Sequence, residues 1–224
     1  MAIGKGDFVE VEYTGKLKDG GVVFDTTSEE TAKKHGIHDK SAEYRPVIIC
    51  VGQGHIVRGL DKEIEGRETD KKFTADIKPE DGFGKKNPKL LQLMSTGKFR
   101  EQEITPVPGL HVNVDGLIGR VRTVTGGRII IDFNHPLAGK ELVYEACIKR
   151  KVTDTKEKVD SLIDLLRLKD FEVEIKEKTA LLKTRHDIPK AVQERTGNEI
   201  KKLVTEIERV EFIKQEEKPS EKTK

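Results

Sequence analysis

The stretch that most constrains the fold is DFVEVEYTGKLKDGGVVFDTT, residues 7–27. Apolar and polar residues alternate over 7–14, with Phe8 or Val9, Val11 and Tyr13 on successive pleats. That spacing predicts a half-buried antiparallel strand. Asp19-Gly20-Gly21 predicts a turn, and VVF the returning strand. Residues 26–45 are polar and irregular, and read as a long loop or flap. PVIICVG (46–52) reads as a strand. In the following GQGHIVRGLDKEIEG, apolar residues at 56, 57, 60 and 64 predict a short amphipathic helix between glycines. Residues 71–78 alternate again before PEDGFGKKNP breaks the chain.

Two further changes of pattern divide the sequence. From about 85 to 128, KLLQLM, HVNVDGLIGRVRTV and a TGGR turn predict a small, mostly β insertion. IIIDFNHPLAGKELVYEACIKRK then returns to strands, so 1–84 with 129–153 are expected as one β-rich domain around it. After Asp154, Val159, Leu162, Ile163 and Leu166 fall at helical spacing. FEVEI and TALLKT alternate as strands, and Pro189 opens a second helix. Residues 154–214 are expected as a small α+β domain, and the charged end, 215–224, as a disordered tail.

Composition bounds the function classes. Of 224 residues, 34% are hydrophobic and 37% charged, which favours several small cores over one large one. Lys+Arg and Asp+Glu number 42 and 40, a balance unlike that of a nucleic-acid sleeve or a binder of anionic membranes. The dense, mixed charge fits a hot environment, where ion-pair networks are less costly. Cys50 and Cys147, each in an apolar run, read as reduced core thiols. No run approaches the ~20 apolar residues of a membrane span and no signal core is present, so a cytoplasmic location is expected.

Most enzyme chemistries find no footing in these residues. GQGHIVRG has Val57 where the third glycine of a dinucleotide loop belongs, and no Walker loop occurs. No Ser–His–Asp or Cys–His arrangement has supporting context. His35 and His38 form an H-x-x-H without a third ligand at fixed spacing and read as solvated loop histidines. Neither metal nor cofactor is expected. What remains is Tyr13, Phe24, Val47, Ile56, Val57, Leu60, Phe83 and Tyr144, with Asp25. By pattern alone this set reads as the core of a β domain.

Four ordered segments carry a resemblance. VEYTGKLKDGGVVFDTT, VGQGHIVRGLDKEIEGR, PEDGFG and NHPLAGKELVYE resemble the successive signatures of FKBP-type peptidyl-prolyl isomerases, over roughly residues 5–153. NHPLAGK and the insertion after GFG are similar to the SlyD-like branch with its insert-in-flap domain. The added C-terminal segment resembles the long-chain archaeal members. The resemblance implies an α+β fold, with a bent antiparallel sheet wrapped on one short helix. It also implies a reaction that needs no nucleophile or cofactor: rotation about X–Pro bonds in unfolded or partly folded chains.

The same resemblance implies a site. Tyr13, Phe24, Val47, Val57, Phe83 and Tyr144 would wall the pocket and Leu60 would floor it. The Ile56 N–H would bond a substrate carbonyl, and Asp25 would act on the twisting imide carbonyl or hold the pocket's polar side. His135 and Leu137 would border the substrate, although the NHP context also suits a His135 side chain that bonds its own loop. Leu60 stands where relatives often have Trp, Val47 where Phe is common, and Phe83 where many have Tyr. These departures bear on macrolide inhibitors more than on isomerisation. In the insert, Leu90, Leu91, Leu93, Met94, Leu117 and Ile118, with Val121, would hold unfolded chains or form the insert's own core.

EEKPSEKTK has neither His nor Cys, so the metal-binding tail of bacterial relatives is not carried over. The alternative function is an assembly factor that keeps the fold and only holds clients. An RNA-binding role for the insert lacks clustered aromatics among basic residues, and no nucleic-acid or membrane partner is expected. The two amphipathic helices of 154–214 could pack within the chain or pair two copies, and a homodimer through that domain is expected.

Overall fold

The computed structural model describes residues 2–100 and 103–215. The first elements are β1 (Phe8–Leu17), β2 (Val23–Thr26), α1 (Glu29–Lys34), β3 (Val47–Cys50), α2 (Arg58–Ile64) and β4 (Lys72–Ile77). Next come β5 (Leu91–Ser95), α3 (Thr96–Arg100), β6 (His111–Val114), β7 (Leu117–Thr125) and β8 (Arg128–Asp132). The remainder is β9 (Leu142–Val152), α4 (Thr155–Leu165), β10 (Phe171–Lys176), β11 (Thr179–Thr184), α5 (Lys190–Leu203) and β12 (Arg209–Lys214). The chain divides into two compact units, residues 1–76 with 143–224, and residues 77–142. Among the described residues no helix is long and apolar enough to cross a membrane.

In the first unit the strand order is β2-β1-β9-β4, with β3 paired to β1. The alternation in DFVEVEYT resolves into two buried faces. Val9, Val11 and Ile49 are fully buried, as are Leu60 and Ile64 of α2. Phe8 and its register partner Cys50 belong to a different core, with Val159, Leu162, Val173, Leu182 and Ile200. Residues of α4, α5, β10 and β11 therefore share apolar cover with the first sheet, and the helices' apolar faces are covered within the chain. Asp154 starts α4 by accepting the Glu157 N–H at 2.8 Å. β10 pairs antiparallel to β11, and β12 joins β11 in parallel after α5.

Two expectations differ from what is observed. The polar stretch 26–45 contains a helix, α1. Ser28 caps it by accepting the Thr31 N–H at 3.3 Å, with Glu29 and Glu30 in the first turn and Lys33 and Lys34 in the last. The boundary expected at 128 falls at the start of β8, which is an inner strand of the order β5-β8-β7-β6 in the second unit. There Ile129 and Ile131 are fully buried with Phe99, Val112 and Val121. A short apolar run suits a strand of either sheet, and pairing decides between them. Of the expected tail, Gln215 donates its N–H to the Thr184 carbonyl at 2.8 Å, and 216–224 lie outside the described residues.

Candidate active site

β1 and β2 pair with Gly15 opposite Asp25 and Thr14 opposite Thr26. Tyr13 of β1, Phe24 of β2 and Tyr144 of β9 meet in one cluster. The Tyr144 ring stands edge-on to Tyr13 (centroids 5.7 Å, 61°) and to Phe24 (5.8 Å, 85°). Aromatic quadrupoles favour that arrangement. Gly15 makes room for it, since a Cβ there would lie 2.9 Å from both Phe24 Cζ and Tyr144 Cε1. Two threonines hold Tyr13. Thr27 Oγ1 accepts its N–H at 3.0 Å, and the Thr26 and Thr27 hydroxyls each donate to its carbonyl at 3.2 Å. The sequence reading passes over Gly15, Thr26 and Thr27; a glycine inside a strand pattern is the available signal.

The Tyr13 hydroxyl donates to the Asp25 carboxylate. Asp25 is exposed on one side. Loss of water around its carboxyl end pushes its pKa up, against the lowering by the Tyr13 hydroxyl and the Thr26 N–H. Burial first, then the Asp25 charge, push the Tyr13 and Tyr144 phenols up, so both stay protonated at neutral pH. Tyr144 is 1% exposed, and its hydroxyl has no hydrogen-bond partner among the described residues.

The loop between β3 and α2 folds around one carboxylate. Buried Asp61 accepts the Gly52 N–H at Oδ1 (2.8 Å) and the Gly54 N–H at Oδ2 (2.9 Å). His55 Nδ1 accepts the Cys50 N–H at 3.1 Å. Gly52 and Gly54 adopt φ of 80° and 71°, a region glycine reaches without strain. This loop delivers Ile56, half-buried, whose N–H makes no backbone hydrogen bond among the described residues. Val57 follows as the N-cap of α2, and Leu60 is fully buried. Val47 is half-buried opposite Val11. Asp61 and His55 as organisers of the loop are absent from the sequence reading.

Phe83, His135, Leu137 and the expected insert residues lie in the second unit. Phe83 stacks face to face on His135 (4.4 Å, 4°), and His135 Nδ1 accepts the Leu137 N–H at 3.2 Å, within its own loop. Leu90, Leu93, Leu117 and Ile118 are exposed, and Leu91 is half-buried. Met94 packs against the insert's core. His38 stacks on Tyr44 (5.3 Å) and lies 3.3 Å from Glu29. Cys50 and Cys147 are free and buried, and desolvation, helped by the Asp61 charge, pushes Cys50 up to about 11.

The rings of Tyr13, Phe24 and Tyr144 thus form one cluster beside a carboxylate bonded to Tyr13, with no nucleophile among them. Residues 1–100 match the family described as FKBP-type peptidyl-prolyl cis-trans isomerase, and residues 92–137 match the FKBP26 IF domain. The short-type peptidyl-prolyl cis-trans isomerase of Methanocaldococcus jannaschii is 35% identical over 142 residues, 63% of this chain and 89% of that one. The FKBP-type 16 kDa isomerase of Escherichia coli is 30% identical over 142 residues, 61% of this chain and 85% of its own. The SlyD isomerase of Haemophilus influenzae is 28% identical over 146 residues, 63% and 68% of the two chains. The chain belongs to the FKBP-type peptidyl-prolyl cis-trans isomerase family, with the α+β fold of that family and its enzyme class.

Proposed function

We propose that the pocket of Tyr13, Phe24, Asp25 and Tyr144 isomerises X–Pro bonds in unfolded or folding proteins, and that the insert binds the chains that carry them. The observation that carries this reading is the closed aromatic cluster over Gly15 beside a carboxylate bonded to Tyr13. The barrier to rotation is about 18–20 kcal/mol, because the planar imide must lose its partial double bond. Withdrawing the imide from water favours the twisted state, whose charge separation is smaller. The Ile56 N–H takes a substrate carbonyl, half-buried Val47 and Val57 hold the proline ring with buried Leu60 behind them, and Asp25 faces the rotating carbonyl. Positioning of this kind lowers the barrier without a covalent step, and each ~1.4 kcal/mol is tenfold in rate.

In this reading residues 1–84, with the return ending at 153, carry the isomerase. The β5–β8 sheet is the insert-in-flap domain, and 154–214 a third domain. That third domain and the archaeal relative support a long-chain archaeal subtype. Two copies associate through 154–214, where strand β12 at the sheet's edge carries exposed Ile213. A one-chain mass in light scattering removes that association. The protein works in the cytoplasm at high temperature, supported by ion-pair networks such as Arg150 with Glu10 (2.5 Å) and Glu157 (2.8 Å).

The test is refolding of a protein whose slow phase is limited by a trans-to-cis proline. The full chain accelerates that phase, Asp25→Ala loses most of the acceleration, and replacing 88–133 by a short loop weakens it sharply. Aggregation suppression without acceleration by any version would leave holding as the whole function.

A further inference from the structure

The insert's sheet buries Phe99, Val112, Val121, Ile129 and Ile131 on one face and turns the other outward. On the outward face β5, β8 and β7 align Leu93 with Ile130 and Ile130 with Thr123. Leu93 is 62% exposed and Ile118 71%. A groove of about 530 Å³ runs here between Leu91, Gln92, Leu93, Arg122, Thr123 and Ile130. Arg122 sits where a bulge between Val121 and Thr123 shifts the register, which adds a side chain to the exposed surface.

Cations outnumber carboxylates on this face, where the Arg122 charge is among those that hold the Asp132 carboxyl below its usual range. Arg120, Arg122 and Arg128 are exposed and make no ion pair among the described residues. In the first unit, by contrast, three neighbouring cations of β9 are answered: Lys149 by Glu12, Lys151 by Asp7 and Arg150 by Glu10. The carboxylate aligned with Arg120, Asp132, already accepts from Asn134 at 2.9 and 2.8 Å and lies 3.8 Å from Lys86.

We propose that this face selects unfolded segments in which carboxylates alternate with aliphatic side chains. The aliphatics lie along Leu93 and Ile130, and the guanidiniums take the carboxylates. The inference rests on the reading that the insert binds unfolded chains, and it adds the charge of the preferred client. Guanidinium is weakly hydrated and grips a carboxylate with two parallel donors, so it suits a partly apolar surface. The apolar side chains of the groove, Leu91, Leu93 and Ile130, are aliphatic and its lining holds no aromatic, whereas single-stranded nucleic acid is held by aromatic stacking. A polypeptide is therefore the better fit.

The experiment uses the full chain and three fluorescent peptides of one aliphatic pattern, lacking proline, whose intervening residues are Glu, Gln or Lys. Anisotropy should show the Glu peptide binding about tenfold tighter than the Lys peptide, with the advantage shrinking as salt rises. Arg120→Gln with Arg122→Gln should abolish the preference while retaining the Gln peptide's affinity. Leu93→Ser should weaken all three. Equal binding of Glu and Lys peptides by the unmutated protein overturns the charge selection and leaves the client-binding reading standing. Failure to bind any peptide overturns both. Displacement of the Glu peptide by a single-stranded oligouridine at equal concentration would make the surface a nucleic-acid site and overturn the proposal.

Discussion

The two units treat their apolar residues in opposite ways. Around Gly15 the rings of Tyr13, Phe24 and Tyr144 pack edge to face, Tyr144 is almost wholly buried, and the Asp25 carboxylate is answered by a hydroxyl. On the insert, Leu93, Leu117 and Ile118 stand in solvent, and exposed Arg120, Arg122 and Arg128 make no close ion pair among the described residues. A site that must hold one group in one geometry needs side chains locked by their neighbours. A surface that meets many sequences has to leave apolar area uncovered, at the risk of association. Under the proposed function, the difference follows from those two demands.

The sharpest way to break the contrast is to fill the space over Gly15. Gly15→Val should destabilise the chain by about 1–3 kcal/mol and remove isomerase activity, because Phe24 and Tyr144 cannot both stay in place. Thermal melts and the refolding assay check this, and an active, stable variant would show that the rings are not locked.

Asp25→Ala should reduce isomerisation by about tenfold or more, equivalent to ~1.4 kcal/mol in the transition state, while aggregation suppression is unchanged. A parallel loss of both would merge the two regions into one function. The same residue makes a pH prediction. Its folded pKa is raised by desolvation, so its contribution to stability is fully present below the ordinary carboxylate value of 3.8 and is lost as pH rises through the folded value. Asp25→Asn should therefore gain on the wild type as pH rises beyond that range, with the wild type's relative deficit vanishing in acid.

Leu93→Ser with Ile118→Ser tests the other region. Client affinity should fall severalfold while melting and short-peptide isomerisation barely move, since exposed positions usually shift stability by less than about 0.5 kcal/mol. A large loss of stability would place these side chains in a core instead. The smallest effect is expected from Tyr144→Phe. It removes a buried hydroxyl that has no partner, so stability should hold or rise by up to about 1 kcal/mol in a denaturant titration.

Much of the architecture is legible in the sequence. The period-two strands, the Asp19-Gly20-Gly21 turn and the helix through Leu60 and Ile64 appear close to where the pattern predicts them. The helix after Ser28 was equally marked by its cap and its charge gradient, but its polar composition resembled a loop. Tyr13, Phe24 and Asp25 stood out through the resemblance, whereas Gly15, Thr26, Thr27 and Asp61 did not. Their roles lie in what they leave room for or hold in place, and such contacts join residues distant along the chain.

The sequence by itself determined the local elements and the family, because periodicity, turn residues and ordered motifs act over short spans. Only the tertiary structure decided that Phe8 and Cys50 are covered by the C-terminal helices and that Ile129 to Ile131 pair within the insert's sheet. It alone placed Tyr144 over Gly15. An apolar residue carries no mark of which neighbour will bury it, because burial favours any removal of its surface from water, and the choice among partners is made by pairing and packing across the whole chain.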